Sequence, residues 1–180
     1  MKTIENRDIA LVPIDADGIT DEYVGWLNDP STFHYMGTKF GQTRESVREY
    51  VASVRPPNVL CRIVIRESGR HVGNIALHLF DPIHRRMDLG IVIGDPAMRG
   101  AGIGTQACRL IIDYAFTYLN LHKITAGTVD ENAAMKRVFL GLGFRVEGTL
   151  VEHHFLGSRY HDVLLFGLLR REFRSGPGEP

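Results

Sequence analysis

Arg99-Gly100-Ala101-Gly102-Ile103-Gly104 lies between a strand-like run, residues 88–93, and a helix-like run, residues 105–119. Three glycines just ahead of a helix let the backbone turn tightly and leave the first amide N–H groups uncovered. Those amides, helped by the positive end of the helix, form a seat for phosphate. A phosphorylated cofactor is therefore expected, although three nearby glycines also fit a simple turn. Two familiar glycine loops fit poorly. A nucleoside-triphosphate loop follows its last glycine with Lys and Ser or Thr, whereas Thr105 and Gln106 follow Gly104. A dinucleotide fingerprint runs Gly-x-Gly-x-x-Gly in an early strand–helix–strand unit. Here the order is Gly-x-Gly-x-Gly, with two substantial segments upstream.

Outward from that loop, the chain reads as alternating strands and helices in one domain over residues 1–174, with a flexible tail over 175–180. Strands are predicted at 9–14, 59–66, 71–80, 85–93, 123–129, 144–155 and 160–169, separated by Ser68-Gly69 and Asp81-Pro82 turns. Helices are predicted at 19–27, 43–54, 105–119 and 132–141, the second ended by Pro56-Pro57. Ile103, Ala107, Leu110, Ile111, Ala115 and Tyr118 recur at helical spacing and are expected to face a sheet. The 21 basic and 21 acidic side chains balance, so nothing suggests a nucleic-acid partner. No apolar run is long enough for a membrane span and no secretory leader is read, so a cytoplasmic protein is expected. Cys61 and Cys108 are far apart and the histidines are scattered; small buried thiols and no metal are the expectation.

Further motifs follow in order. Asn132-Ala-Ala-Met-Lys-Arg-Val-Phe-Leu-Gly-Leu-Gly-Phe144 is succeeded by Glu147-Gly148 and by Gly157-x-x-Tyr160-x-Asp162, and Trp26-Leu27-Asn28-Asp29-Pro30 stands early. With Arg-x-x-Gly-x-Gly, these segments resemble the GNAT N-acetyltransferase superfamily over residues 9–173. The similarity is to its branch of ribosomal-protein N-terminal acetyltransferases and amino-sugar-nucleotide N-acetyltransferases. The resemblance implies the α/β GNAT (acyl-CoA N-acyltransferase) fold, a mixed, twisted sheet of six to seven strands flanked by helices. It implies acetyl-CoA as co-substrate and direct acetyl transfer to a primary amine. The acceptor expected first is a small molecule such as an amino-sugar nucleotide; a protein N-terminus is the alternative. A further alternative is a catalytically inactive acyl-CoA-binding sensor. Many members pair through late strands, so a homodimer is also expected.

The resemblance carries specific residues. Backbone groups of Ile91, Val92 and Ile93 would pair with the pantetheine arm as a partial extra strand. Amides of Gly100, Ala101, Gly102, Ile103, Gly104 and Thr105 would hold the pyrophosphate, with Arg99 as charged partner. Asn132 is either a helix N-cap, a cofactor contact, or both. Where many members carry a tyrosine that protonates the leaving thiolate, this chain has Phe139, and Met135 cannot serve either. His154 is read as the base that takes the ammonium proton, with Glu152 on the same strand face to support its charged form. Asp88, His78 and Glu152 are weaker candidates. Tyr160 is a cleft or core residue, Asp162 recurs with it, and Trp26, Phe33, His34 and Tyr35 fall where acceptor-binding helices begin, Trp26 also fitting an apolar face with Tyr23.

Overall fold

The computed structural model describes residues 1–33, 35 and 41–174, without the side chains of Ala16 and Phe33. His34 and the expected tail, 175–180, lie outside the described residues. The strands are β1 (Ile4–Glu5), β2 (Ile9–Pro13), β3 (Val59–Ile65), β4 (His71–Asp81), β5 (Arg86–Ile93), β6 (Lys123–Val129), β7 (Arg145–Leu156) and β8 (Arg159–Leu169). They form one sheet in the order β1-β2-β3-β4-β5-β6-β8-β7. Every neighbouring pair is antiparallel except β5 with β6, which is parallel. The sheet thus has eight strands where six to seven were expected. The extra one, β1, is two residues long, too short for any alternation to be visible in sequence.

Helices α1 (Asp21–Asn28), α2 (Pro30–Phe33) and α3 (Arg44–Ser53) lie between β2 and β3; α4 (Ile103–Thr117) links β5 to β6, and α5 (Ala133–Gly141) links β6 to β7. Thr20 and Thr43 open α1 and α3 by accepting hydrogen bonds from the Tyr23 and Ser46 amides. The helix after the glycine loop starts at Ile103, two residues before the predicted start, because Gly102 is its N-cap. Its buried stripe is Ile103, Ala107, Cys108, Ile111, Ile112, Ala115 and Phe116. Tyr118, expected to face the sheet, is exposed and stacks on Tyr114 at 5.6 Å, because α4 ends at Thr117 and Phe116 takes the inward position.

The main core lies between the sheet and α4–α5, with Ile75, Leu77, Met87, Leu89, Ile124 and Phe166 from strands and Ile111, Ile112 and Phe139 from helices. A smaller cluster of Ile19, Tyr23 and Val47 joins α1 to α3. Both cysteines are buried, and burial pushes each thiol up to about 12, so they pack as small apolar groups. No helix among the described residues is long and apolar enough to cross a membrane.

Candidate active site

The parallel pairing of β5 with β6 covers only Arg86, Met87 and Asp88 against Lys123, Ile124 and Thr125. Beyond Asp88 the two strands part, while β5 stays paired with β4 as far as Ile93 opposite Gly73. Residues 89–93 therefore run along a gap in the sheet with one hydrogen-bonding edge turned toward it. The gap opens at the carboxyl ends of both parallel strands, the side on which open α/β sheets bind ligands. The backbone of Ile91, Val92 and Ile93, singled out from sequence, lies along this edge.

The glycine loop closes the same end. Gly94 and Asp95 donate their N–H groups to the Val72 carbonyl, and the Asp95 carboxylate accepts from Ala97 N–H at 3.0 Å and pairs with Arg70 at 2.7 Å. That anchored turn delivers the chain into Gly100 and Gly102, at φ of +77° and +78°, where non-glycine residues are strained. A Cβ at either glycine would meet open space, with no described protein atom within 4 Å. Within the described residues, the Ile103, Gly104 and Thr105 N–H groups have no carbonyl partner, as the first turn of a helix requires. Gly104 faces inward, its absent Cβ 3.9 Å from Ile91 and 3.8 Å from Ile93.

Arg99, expected as the charged partner of the pyrophosphate, is hydrogen-bonded within the protein. Its Nε donates to the Ile93 carbonyl at 3.1 Å, one terminal nitrogen to Ser31 Oγ at 3.0 Å, and the other to Thr32 Oγ1 at 2.6 Å and the Gly94 carbonyl at 3.4 Å. The guanidinium faces α2 and the end of β5.

The side chains of β5 alternate between the two faces of the sheet. Gly104 of α4 meets Ile91 and Ile93, whereas the opposite face carries Asp88, Gly90 and Val92. On that face the structure gathers three residues at the base of the gap. His78 Nε2 of β4 lies 3.6 Å from Asp88 Oδ1, and Thr125 of β6 donates its hydroxyl to Asp88 Oδ2 at 2.7 Å. The ring packs over Gly90, where a Cβ would sit 3.4 Å from His78 Nε2, an ordinary contact distance. Farther along, Glu147 lies over Gly167, where a Cβ would overlap its carboxylate, and pairs with Lys123 at 2.6 Å. His78 and Asp88 stand ten positions apart in sequence, so only the β4–β5 register could reveal their meeting.

His154 sits at the far end of β7, opposite His161 of β8 and beyond the last residue of β6. Among the described residues no hydrogen bond or ion pair joins it to Glu152, its expected support. The ladder is irregular between Leu150 and His154, and Glu152 has φ +49°, so strict alternation fails there. Burial, and secondarily the neighbouring His153, lower the His154 pKa instead of raising it. His154 Nδ1 is buried without a hydrogen-bond partner among the described residues.

Asn132 is the N-cap of α5, accepting from Met135 N–H at 3.0 Å. Phe139 is buried with its ring 5.1 Å from Phe144 and 5.2 Å from Phe166, so this position belongs to the core. Tyr160 is exposed, set edge-on to Phe155 at 5.1 Å, and is no core residue. Asp162 accepts from Glu152 N–H at 2.8 Å and fixes the irregular turn of β7. Trp26 packs edge-to-face on His71 at 4.9 Å and lies directly on Gly94; Tyr35 is exposed. A separate cleft of about 490 Å³ between α1 and α3, lined partly by Asp17, Asp21 and Arg44, contains none of the expected site residues.

Residues 8–145 match the protein family described as "Acetyltransferase (GNAT) domain". Spermidine N(1)-acetyltransferase of Escherichia coli (strain K12) is 31% identical over 112 residues, 62% of this chain and 60% of that protein. The match thus spans about three fifths of that relative's length. The crystal structure of spermidine N-acetyltransferase from Vibrio cholerae in complex with CoA and spermine superposes with a TM-score of 0.85 at 24% identity, covering 93% of this chain and 98% of that one. Ribosomal-protein-S5-alanine acetyltransferase from Vibrio fischeri superposes with a TM-score of 0.83 at 18% identity, covering 96% and 98%.

Proposed function

Because this chain belongs to the GNAT acetyltransferase family, we propose that it catalyses acetyl-CoA-dependent N-acetylation of a small primary amine. The observation that carries this reading is the parting of β5 from β6 beside a helix N-terminus whose first amides have no carbonyl partner among the described residues. A long ligand with amides along its middle and a diphosphate at one end fits that pair of features. The edge at residues 89–93 offers alternating N–H and C=O groups to the amides, and Gly100 to Thr105 offer main-chain donors to the diphosphate. Acetyl-CoA, when bound, supplies an activated acyl carbonyl and a thiolate leaving group.

The chain's own residues then have one main task, removing a proton from the arriving ammonium. His78 is the proton acceptor in this reading. Its Nε2 lies 3.6 Å from the Asp88 carboxylate, and the Thr125 hydroxyl holds that carboxylate in place. His154 is a second candidate, since burial lowers its pKa and so keeps the ring neutral, the form that can accept a proton. Phe139 and Met135 offer no proton, so main-chain donors and the helix dipole are left to assist departure.

Asp88 on an open sheet face suits a cationic amine, and the spermidine enzymes among the relatives act on one. Polyamines and amino-sugar nucleotides are the first acceptor classes to test. A protein N-terminus is the second reading, favoured by the likeness to the ribosomal-protein-S5-alanine enzyme. Residues 1–174 act as one catalytic domain, since a single sheet runs from β1 through β8. Exposed Val146, Val151, Phe155 and Tyr160 on β7 and β8 suit pairing with a second copy. Release of free thiol from acetyl-CoA across polyamines, amino-sugar nucleotides and peptides tests the assignment. Turnover on a small amine supports it, and faster turnover on peptides supports the second reading. CoA binding without turnover on any amine would make the chain a sensor.

A further inference from the structure

We propose that Arg99 is a positioning residue that latches α2 to the end of β5, and that its guanidinium does not grip phosphate. The inference rests on the glycine loop as the seat of a diphosphate. Arg99 has five N–H donors in a planar fork. They reach Ile93 O, Gly94 O, Ser31 Oγ and Thr32 Oγ1, all neutral acceptors of the protein itself. A bidentate phosphate grip needs two parallel N–H groups from one edge of the fork, and these contacts occupy both the Nε and the terminal nitrogens. Thr32 is 5% exposed, so its hydroxyl is committed inside the structure. Ser31 extends the network by donating to Asp29 at 2.5 Å, and the Asp29 carboxyl is held below its ordinary pKa, first by Ser31 and lastly by Arg99.

The latch joins two parts that must agree. Ile93 and Gly94 end the strand that borders the gap and begin the turn into the glycine loop. Ser31 and Thr32 belong to α2, directly after α1, whose Trp26 lies on Gly94 and against His71. Arg99 and Trp26 therefore clamp the same short stretch from the face opposite α4. Loss of the latch is expected to loosen the helices over the open sheet face, where the amine would approach.

The test compares the parent with R99K, R99A, T32V and R99A/T32V, using acetyl-CoA and acetyl-pantetheine, which lacks diphosphate and nucleotide. The latch predicts that R99A lowers kcat/KM by roughly tenfold with both donors alike and raises KM for the amine. It also predicts that R99A/T32V is no worse than R99A alone, because the two residues serve one contact. A penalty present with acetyl-CoA and absent with acetyl-pantetheine would overturn it, as would additive effects. Trp26 is the sole tryptophan and gives a readout free of catalysis. R99K and T32V should shift its emission to the red in the same way, and unchanged emission in both would also refute the latch. Failure of the parent to use either donor would overturn the proposed activity, leaving the emission shift to judge Arg99.

Discussion

Gly94 and Gly102 flank one loop and are glycines for different reasons. A side chain at Gly94 would overlap the Trp26 indole, whereas one at Gly102 would meet open space but adopt a left-handed φ of +78°. Gly94→Ala must therefore push α1 off the strand, an overpacking cost of about 1–3 kcal/mol, while Gly102→Ala costs about 1 kcal/mol in backbone strain. Urea unfolding of the two variants checks this order, with Gly94→Ala the less stable. Single residues also set the pH response. Burial lowers the pKa of His71 and of His154 from the ordinary 6.5. Between that value and the lowered ones the unfolded chain holds more protons than the folded chain, so stability rises with pH across the window and falls as pH drops below 6.5. The urea midpoint is expected to fall between about pH 7.5 and about pH 5, and to fall less in His71→Asn than in the parent.

At the scale of elements, α5 separates what its residues do from what the motif suggests. Its motif places Phe139 where many family members hold a proton donor, yet the ring is packed between Phe144 and Phe166. Phe139→Tyr would bury a hydroxyl with no partner, so it should lose about 1–3 kcal/mol of stability without raising kcat; thermal melting and turnover check both halves. A gain in kcat would place the ring at the cleft. Regular elements were legible because their periodicity is local: β6 appears at the predicted residues, and α4 and α5 lie within two residues of prediction. Irregularities were not. The distortion between Leu150 and His154 breaks the period of two on which the Glu152–His154 pairing rested, and no residue type announces it. The meeting of His78 with Asp88 was equally hidden, since it depends on how β4 registers on β5. Arg99 could be placed beside the loop from sequence, but its direction is set by α2, far away along the chain.

The whole molecule is an antiparallel sheet interrupted at one place. Seven adjacencies order its eight strands, and the parallel one, β5 with β6, comes apart after three registered pairs. α4 fills one face and begins at the loop beside that opening, while α1 and α2 reach the other face through Trp26 and Arg99. The proposed cofactor seat and the proposed amine approach thus lie on two sides of a single gap. Amide hydrogen exchange with and without CoA tests this arrangement most directly. New protection should concentrate at residues 89–93 and at Ile103, Gly104 and Thr105, the last three having no carbonyl partner for their N–H groups among the described residues. Protection confined to the α1–α3 cleft around Asp17 and Arg44, with those amides exchanging as before, would contradict it.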